Sequence, residues 1–567
     1  MSTSVLRTIP VSSLCKLFPE RDPESERRAH FSALQNEPLS FQIAYRLENT
    51  AASRMSLTVR VESALPVRLF RVGYVALPHT EVDALPEHER PGAFPDILEE
   101  KTFGAHSMRR IAGPMPAVAE YGERVIPHAS RDCFRALWVT VGGDGTVCPP
   151  GEHTVSIRFF NRRDDSPVGE CTVTVRITAA RLPRNTFLYT NWVHCDCLAD
   201  LYGVPIFSDR FFEIYANYIR VAAEHGMNTL LTPCFTPPLD TPIGEYRMPA
   251  QLVGVRVVRG RYIFDFSLLR RFLRLALSCG ITHFEHSHLF SQWGATCAPA
   301  VYATVHGKET RIFGWDTPVA DSDYPAFLRA YLPALLAFLR EEGLDRRFLF
   351  HISDEPSEKD APAYAYARSI VQEYLGGYPI IDALSHYSFY EIGMVQTPVV
   401  VTICAKDFVG RCKDFWCYYT GGQCAGGLSN RFTNCSALRN RMLGVQMYAA
   451  GVKGFLQWAY NYYYDEMSQG LFNPLTDPDG YAGGVPGTTY MVYPSPDGHA
   501  LPSIREKVFY EGICDLRALR LLEKRRGRAF VLDLLQRHFG EVTFDTMAES
   551  DDALLAFRDT VNTLLDA

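Results

Sequence analysis

The rhythm of the chain changes near residue 186, and this change constrains the fold more than any other feature. Before it, short runs rich in Val, Ile, Thr and Phe alternate apolar and polar residues, with turns between them. These runs span residues 54–63, 134–143, 152–161 and 170–179. After it, short apolar runs alternate with segments of helical periodicity. We predict an N-terminal antiparallel β-sandwich followed by a parallel α/β unit.

Eight apolar runs in the second part predict a closed (β/α)8 barrel rather than an open sheet. The runs span 188–196, 227–233, 281–290, 347–356, 378–386, 397–405, 414–421 and 452–464. Helices are predicted at 207–226, 265–280, 324–343, 357–376 and 434–451, and the helical signal between the fifth and sixth runs is weak. The predicted domains are a sandwich at 1–185, a barrel at 186–525 and a helical tail at 526–567, with amphipathic helices at 502–535 and 549–566.

Composition excludes several classes of protein. The 57 basic and 64 acidic residues give a net charge of −7, which does not indicate a nucleic-acid partner. No run of 18 apolar residues predicts a membrane span, and the N-terminus does not resemble a signal peptide. The 15 cysteines are scattered without a C-x-x-C motif, which favours buried free thiols. We therefore predict a cytoplasmic protein without a metal or other cofactor, and leave monomer and homo-oligomer open.

Reactive groups of such barrels lie at the carboxyl ends of the strands, and this rule nominates the candidate site residues. They are Asn191, Trp192, His194, Asp196, Glu285, His286, His288, Gln292, Trp293, Asp354, Glu355, Tyr418, Tyr419, Gln423, Trp458, Asn461, Tyr462, Asp465 and Glu466. Carboxylates, amides and aromatic faces around one rim are typical of a sugar site, because sugar rings stack on aromatic faces while their hydroxyls need directed polar partners.

The adjacent carboxylates Asp354 and Glu355 suggest acid–base chemistry. Two neighbouring carboxylates repel each other's ionisation, so one can keep a proton that it donates to a glycosidic oxygen. The alternative is structural, because Pro356 suits a helix start and Ser357 with Asp360 could form a capping box. In that case the pair would only complement a helix N-terminus.

Three weaker possibilities stay open. His194, Asp196, Glu285, His286 and His288 could ligate a metal in a hydrolase, although their spacing is loose. Asp465 and Glu466 form a second acidic pair, which also suits a solvated loop. Cys195 and Cys197 are interpreted as buried packing residues rather than nucleophiles, because no Cys/His context singles one out.

Five ordered segments carry a resemblance to a known family. They are NWVHCDCLAD (191–200), FEHSHLFSQWGA (284–295), HISDEP (351–356), FLQWAYNYY (455–463) and IREKVFYEGICDLRALRLL (504–522). In this order they resemble the family 123 glycoside hydrolases over roughly residues 186–525, and the N-terminal sandwich fits that family's accessory domain.

The resemblance implies a β-N-acetylgalactosaminidase that works by substrate-assisted retention. By position, Glu355 would be the general acid/base, and Asp354 would orient the 2-acetamido group that attacks the anomeric carbon to form an oxazolinium ion. The implied substrate-binding residues are Trp192, His194, Asp196, His288, Trp293, Trp458 and Asn461. The partner would be a small glycan or glycoside, imported if the enzyme is cytoplasmic.

Two other functions are compatible with the sequence. A glycosidase acting on a sugar without an acetamido group would need a separate nucleophile, for which Asp465, Glu466 and Glu285 are candidates. A carbohydrate-binding protein that has kept the fold without catalysis is the other.

Overall fold

A computed structural model describes residues 5–77, 92–100, 127–143, 145–423, 428–481 and 485–566. The N-terminal part contains two five-stranded sheets. In spatial order, the first holds Leu6–Ser12, Leu39–Leu47, Arg135–Val141, Val67–Leu77 and Gly92–Glu99, and the second holds His30–Ala33, Pro167–Ile177, Gly151–Asn161, Arg54–Ser63 and His128–Ser130. Neighbouring strands are antiparallel, except for the parallel pair of His30–Ala33 with Pro167–Ile177. The predicted sandwich is confirmed.

The first sheet is buried on both of its faces. One face, with Phe41, Ile43 and Val139, packs against the second sheet. The other face, with Phe70 and Trp138, joins the large hydrophobic core that continues into the barrel. Strands buried on both faces lose the alternation of apolar and polar residues. For this reason the strand Leu39–Leu47 was not predicted from the sequence.

Eight short parallel strands form the barrel, and each lies inside one of the eight predicted runs. They are β1 (Leu188–Asn191), β2 (Thr229–Thr232), β3 (His283–His286), β4 (Phe348–Leu349), β5 (Ile381–Leu384), β6 (Thr397–Val401), β7 (Trp416–Tyr418) and β8 (Gly454–Gln457). Hydrogen-bonded order follows chain order from β1 to β8, and β8 pairs with β1. The ring is thinnest between β4 and β5, where a single bridge joins Phe350 and Ile380.

The helices of this part are Cys195–Tyr202, Asp209–Glu224, Ser267–Ser278, Tyr324–Glu341, Ala361–Leu375, Ser388–Glu391 and Ala437–Ala450. The weak signal between the fifth and sixth runs corresponds to the four-residue helix, and β6 is followed by a 3-10 segment, Thr402–Asp407. Two features were not predicted. The loops after β2 and β3 form a four-stranded sheet, made of Gly254–Val258, Arg261–Asp265, Val301–Val305 and Lys308–Phe313. After β8, the strand Val492–Pro494 pairs with Ala500–Pro502.

The C-terminal helices are Ile504–Arg526, Arg528–Phe539 and Asp551–Asp566. The first was expected to be amphipathic, yet residues 504–519 are buried on all sides between the barrel and the sandwich, and only its last turn is exposed. It crosses the helix Ala437–Ala450 where Gly444 meets Gly512, and a Cβ on Gly444 would lie 1.9 Å from the Gly512 carbonyl oxygen. Several of its charged side chains are paired in the interior, as Arg505 is with Asp96 at 2.8 Å and Asp515 is with Arg441 at 2.8 Å.

Two predictions from composition can be compared with the described residues. Their cysteines are all free thiols, most of them buried, and Cys424 lies outside the described residues. Among their helices, none combines the length and the apolar character that crossing a membrane requires.

Candidate active site

A cavity of about 310 Å³ opens at the carboxyl ends of the barrel strands. This size lies at the lower end of the usual range for small-molecule sites. Its wall is formed by Trp192, Leu239, Asp240, Gln292, Trp293, Asp354, Glu355, Ala383, Tyr418, Thr420, Gly421, Gly422, Leu456, Trp458, Tyr481 and Thr488. The wall thus combines three tryptophans and two tyrosines with three carboxylates, which suits a ring with apolar faces and polar edges.

Asp354 and Glu355 both line this cavity, although they are consecutive residues. In a strand, successive side chains point to opposite faces, so a continued β4 would turn one carboxylate away. Glu355 instead has φ 44°, in the left-handed region that a residue with a Cβ adopts at a cost of about 1–3 kcal/mol. Two backbone hydrogen bonds hold this turn. The Trp293 amide, in the loop after β3, donates to the Asp354 carbonyl (2.8 Å), and the Glu355 amide donates to the carbonyl of Ala383 in β5 (3.1 Å).

The helix that follows the pair is capped by other residues, so neither Asp354 nor Glu355 is needed for that structural role. Asp360 accepts hydrogen bonds from the Ser357 amide (3.0 Å) and from the Ser357 hydroxyl (2.6 Å). The predicted Ser357–Asp360 interaction therefore exists, and it leaves the carboxylates of Asp354 and Glu355 free to face the cavity.

The two carboxylates have different surroundings. Burial, reinforced by the charge of Glu355, raises the pKa of Asp354 well above its ordinary value, while the nearby His351 acts in the opposite direction. Glu355 is more exposed, and it accepts a hydrogen bond of 2.5 Å from the Tyr418 hydroxyl. Burial therefore opposes the ionised form of Asp354, the form in which it would orient a 2-acetamido group.

Replacing Tyr418 by Phe is expected to lower kcat/KM for glycoside hydrolysis by about 10- to 100-fold, because a hydrogen bond to a charged group contributes about 1.5–3 kcal/mol. Phe fills the same volume, so the fold should survive. The adjacent Tyr419 supplies the matched control: it is buried, it does not line the cavity, and its hydroxyl has no hydrogen-bond partner among the described residues. Steady-state kinetics of Tyr418→Phe and Tyr419→Phe side by side test this, and equal activities would contradict it.

Trp192, Trp293 and Trp458, three of the residues predicted to bind the sugar, line the cavity. The Trp192 ring nitrogen donates to Glu285 (3.0 Å), which also pairs with His351 at 2.9 Å beneath the cavity. Burial opposes a charge on His351, but the neighbouring carboxylates of Asp382 and Glu285 outweigh it and raise the pKa of His351 to about 9. Trp293 is 41% exposed at the mouth and has φ 56°.

Three predicted sugar contacts, His194, Asp196 and Asn461, lie behind the cavity wall rather than in it. Arg247 binds both oxygens of Asp196 (2.9 and 3.0 Å) and donates to Nδ1 of His194 (3.1 Å). His194 Nε2 then donates to the Trp458 carbonyl (2.8 Å), and Asn461 pairs with the His194 backbone. The expectation that these side chains face the sugar is corrected: they hold the loops that carry the wall.

The residues that the sequence left open as a possible metal site are also separated. His194 and Asp196 belong to the Arg247 network, and His286 bonds to the Tyr331 hydroxyl (2.8 Å). His288, predicted to contact sugar, is 1% exposed and lies under the cavity with its ring edge-on to Trp192, 5.4 Å away. Burial lowers the pKa of His288 well below its ordinary value, so the ring is neutral.

Gln292 lines the cavity, whereas the acidic pair Asp465–Glu466 and the two cysteines fall outside its wall. Asp465 accepts a hydrogen bond from the Gly470 amide (2.7 Å) and shapes a turn, and Glu466 is exposed on it. Cys195 and Cys197 are buried, and burial raises the pKa of both thiols well above the ordinary value, which suits packing rather than nucleophilic attack.

Sequence reasoning missed one cavity carboxylate, Asp240. It follows β2 in a loop, has φ 45°, and accepts hydrogen bonds from the Tyr462 hydroxyl, from Tyr481 (3.3 Å) and from the Met467 amide (3.1 Å). The segment PLDTP that contains it has no apolar periodicity, so its only signal is its place after the second strand. Tyr481 and Thr488, from the long loop after β8, were missed for the same reason.

Comparisons with known proteins agree with the fold. The family model "Glycoside hydrolase 123, catalytic domain" matches residues 192–522. A solved family 123 glycoside hydrolase from Clostridium perfringens, described in a study of glycolipid glycan hydrolysis, is 14% identical over 99% of this chain and 97% of its own, with a TM-score of 0.71. At that identity the likeness establishes a shared fold. A family 39 glycoside hydrolase from Bacteroides cellulosilyticus is 10% identical over 86% and 81% of the two chains, with a TM-score of only 0.32. Curated proteins provide no match.

Proposed function

The chain belongs to glycoside hydrolase family 123, and from this premise we propose that it is a retaining exo-glycosidase for terminal β-linked 2-acetamido sugars, with N-acetylgalactosamine preferred. One observation carries the proposal. Of the three carboxylates on the described cavity wall, Asp354 and Glu355 are adjacent on one turn, and the third, Asp240, has its oxygens occupied by three donors. A nucleophile supplied by the substrate fits this arrangement better than one supplied by the enzyme.

The proposed reaction has two steps. Glu355 donates its proton to the glycosidic oxygen as the bond from that oxygen to the anomeric carbon breaks, and the acetamido carbonyl oxygen attacks that carbon from the opposite face. Asp354, once ionised, accepts the acetamido N–H and stabilises the positive charge of the oxazolinium ion. Glu355 then removes a proton from water, whose oxygen attacks the anomeric carbon and reopens the ring. Two inversions give net retention.

The aromatic wall supports this proposal. Trp458 packs against Tyr462 (5.1 Å between ring centroids) and Tyr481 (6.0 Å), and the indole of Trp192 is held by Glu285. Such fixed aromatic faces can stack on a sugar ring and shield an acetamido group from water, which would otherwise compete for the reactive centre.

A second candidate is a glycosidase that uses Asp240 as its own nucleophile on sugars without an acetamido group. It is favoured only by the position of Asp240 on the cavity wall. The candidates inferred from sequence have other locations: Glu285 is fully buried under Trp192, and Asp465 and Glu466 lie outside the wall.

Asp240→Asn distinguishes the two mechanisms. Under the substrate-assisted mechanism we expect kcat to fall by less than about tenfold, because Asn keeps one acceptor oxygen and the disturbed hydrogen bonds hold the wall rather than the reacting atoms. If Asp240 is instead the nucleophile, the variant should lose nearly all turnover, and the unmodified enzyme should hydrolyse sugars without an acetamido group.

The experiment that tests the function is hydrolysis of chromogenic β-glycosides of N-acetylgalactosamine, N-acetylglucosamine, galactose and glucose by the purified protein. Turnover confined to acetamido sugars supports the proposal, and replacing the acetyl group by trifluoroacetyl should slow it, because the carbonyl oxygen becomes a poorer nucleophile. Turnover of the plain glycosides contradicts it. Sugar binding without turnover would favour a binding protein. A glycolipid glycan belongs in the panel to define the aglycone.

A further inference from the structure

A group of three metal-ligating side chains lies beneath the cavity, outside its wall. His288 follows β3, His351 follows β4 and Asp382 belongs to β5. Each offers one donor atom such that all three atoms lie within 4.8 Å of one another. The residues are 1%, 1% and 0% exposed, so the group is enclosed by the barrel.

His288 carries the clearest sign that a partner belongs there. Both of its ring nitrogens are buried, and neither has a hydrogen-bond partner among the described residues. The His288 ring stacks on the His351 ring with 4.5 Å between centroids. This contact packs the ring faces but gives the ring nitrogens no hydrogen bond. Because buried polar groups are almost always satisfied, an imidazole with two unpartnered nitrogens indicates a bound species.

The charges around the group also favour a cation. Glu285 and Asp382 are both fully buried, and within the described part of the chain their ion pairs involve only His351. Two carboxylates therefore face one imidazole. A proton on His351 balances one negative charge and leaves His288 unsatisfied, whereas a divalent cation balances both and uses a nitrogen of each histidine.

The geometry matches the surroundings of a metal ligand. His351 Nδ1 lies 3.5 Å from Asp382 Oδ1, long for a hydrogen bond but close to the separation of about 3.3 Å between neighbouring donors around one Zn²⁺. His351 Nε2 donates to Glu285 at 2.9 Å, the carboxylate–histidine arrangement that orients metal-bound imidazoles. Asp382 is itself fixed by the Tyr364 hydroxyl at 2.5 Å.

We propose that His288, His351 and Asp382 bind one divalent transition-metal ion, with Zn²⁺ as the best match to two imidazoles and a carboxylate, and that this ion clamps β3, β4 and β5 together. The clamp lies where the ring is thinnest, between β4 and β5, where the Asp382 carboxylate already accepts the Ile352 amide (2.9 Å) in place of a backbone carbonyl.

The role of the ion is structural, since none of its three ligands lines the cavity. Through His351, Glu285 and Trp192 it also fixes the indole in the cavity wall. This departs from the expectation of no metal, which weighed a set of side chains that shares only His288 with this one. It does not depend on the identity of the substrate.

The test begins with the full-length protein, purified without a histidine tag, incubated with Zn²⁺ and desalted. Elemental analysis should find about one zinc per chain, and removal by a chelator should lower Tm by about 5 °C or more, restored by added Zn²⁺. Less than about a tenth of an equivalent of metal, together with a Tm that neither chelator nor zinc changes, would overturn the proposal.

A variant at His288 gives a second test, because its Tm should change in opposite directions depending on whether the metal binds. His288→Leu should abolish stoichiometric zinc and lower Tm in the presence of zinc. If no metal binds, the same change removes an unsatisfied buried imidazole, so Tm should stay the same or rise. His283→Gln is the matched control, since His283 lies at the start of the same strand but outside the group, and it should keep the zinc.

Discussion

Replacement of Glu355 by Gln is expected to lower kcat/KM by about 10³-fold for a β-N-acetylgalactosaminide with a poor leaving group, because general acid catalysis typically contributes 10²- to 10⁴-fold. Gln keeps the size of Glu and can still accept a hydrogen bond from the Tyr418 hydroxyl, so the arrangement of this 2.5 Å contact should be kept. What it lacks is a proton to give to the departing oxygen.

The leaving group supplies an internal control for this prediction. An aryl glycoside with an acidic phenol needs little protonation as its bond breaks, so the first step should suffer much less than with an alkyl glycoside. A loss of equal size for both leaving groups would point to misfolding or lost binding rather than to lost acid catalysis.

Glu466→Gln is the matched control variant. Glu466 belongs to the rival acidic pair, follows another barrel strand and is exposed outside the cavity wall. The same chemical change there should leave kcat/KM within about twofold of the unmodified enzyme, as is usual for a surface substitution. If Glu466→Gln were the inactive variant and Glu355→Gln the active one, the assignment of the site would be wrong.

Asp354→Asn is expected to lower kcat for acetamido substrates by about 10²- to 10³-fold, a loss comparable with removing one preorganised stabilising group. Asn can still accept the acetamido N–H, but it cannot offset the positive charge of the oxazolinium ion. In the unmodified enzyme, kcat/KM should fall at acidic pH through the raised pKa of Asp354. This acidic limb should be absent in the variant, and a pH profile of both enzymes measures it.

The same substitution should stabilise the fold. Because burial and Glu355 raise the pKa of Asp354 above its unfolded value of about 3.9, the folded chain binds more protons than the unfolded chain between these two values. The free energy of unfolding therefore falls as pH rises through that window, and above it the folded state bears a buried charge. Thermal unfolding of Asp354→Asn at neutral pH should show a higher Tm than the unmodified protein, with no such difference at pH well below 4. A lower Tm at neutral pH would contradict this account.

Local pattern was sufficient for short apolar strands, even though several of them are buried on both faces. The eight barrel strands lie within the eight apolar runs, because each strand is bounded by turns or helix starts that interrupt the pattern. It was insufficient to predict the strand Leu39–Leu47 or the burial of the helix Ile504–Arg526. The strand Leu39–Leu47 and the helix Ile504–Arg526 depend on long-range partners, such as the Arg505–Asp96 ion pair, that no window of sequence contains.

The sequence by itself determined the order of strands and helices, and with it the position of Asp354 and Glu355 just after β4 at the rim. Tertiary structure decided which rim side chains face the cavity. His194 and Asp196 turn away because Arg247, about fifty residues further along the chain, takes their polar atoms. Asp240 and Glu355 turn inward because their backbones adopt left-handed conformations. Strand order follows from local periodicity, whereas the direction of a side chain at a strand end depends on loop conformation and on partners distant in sequence.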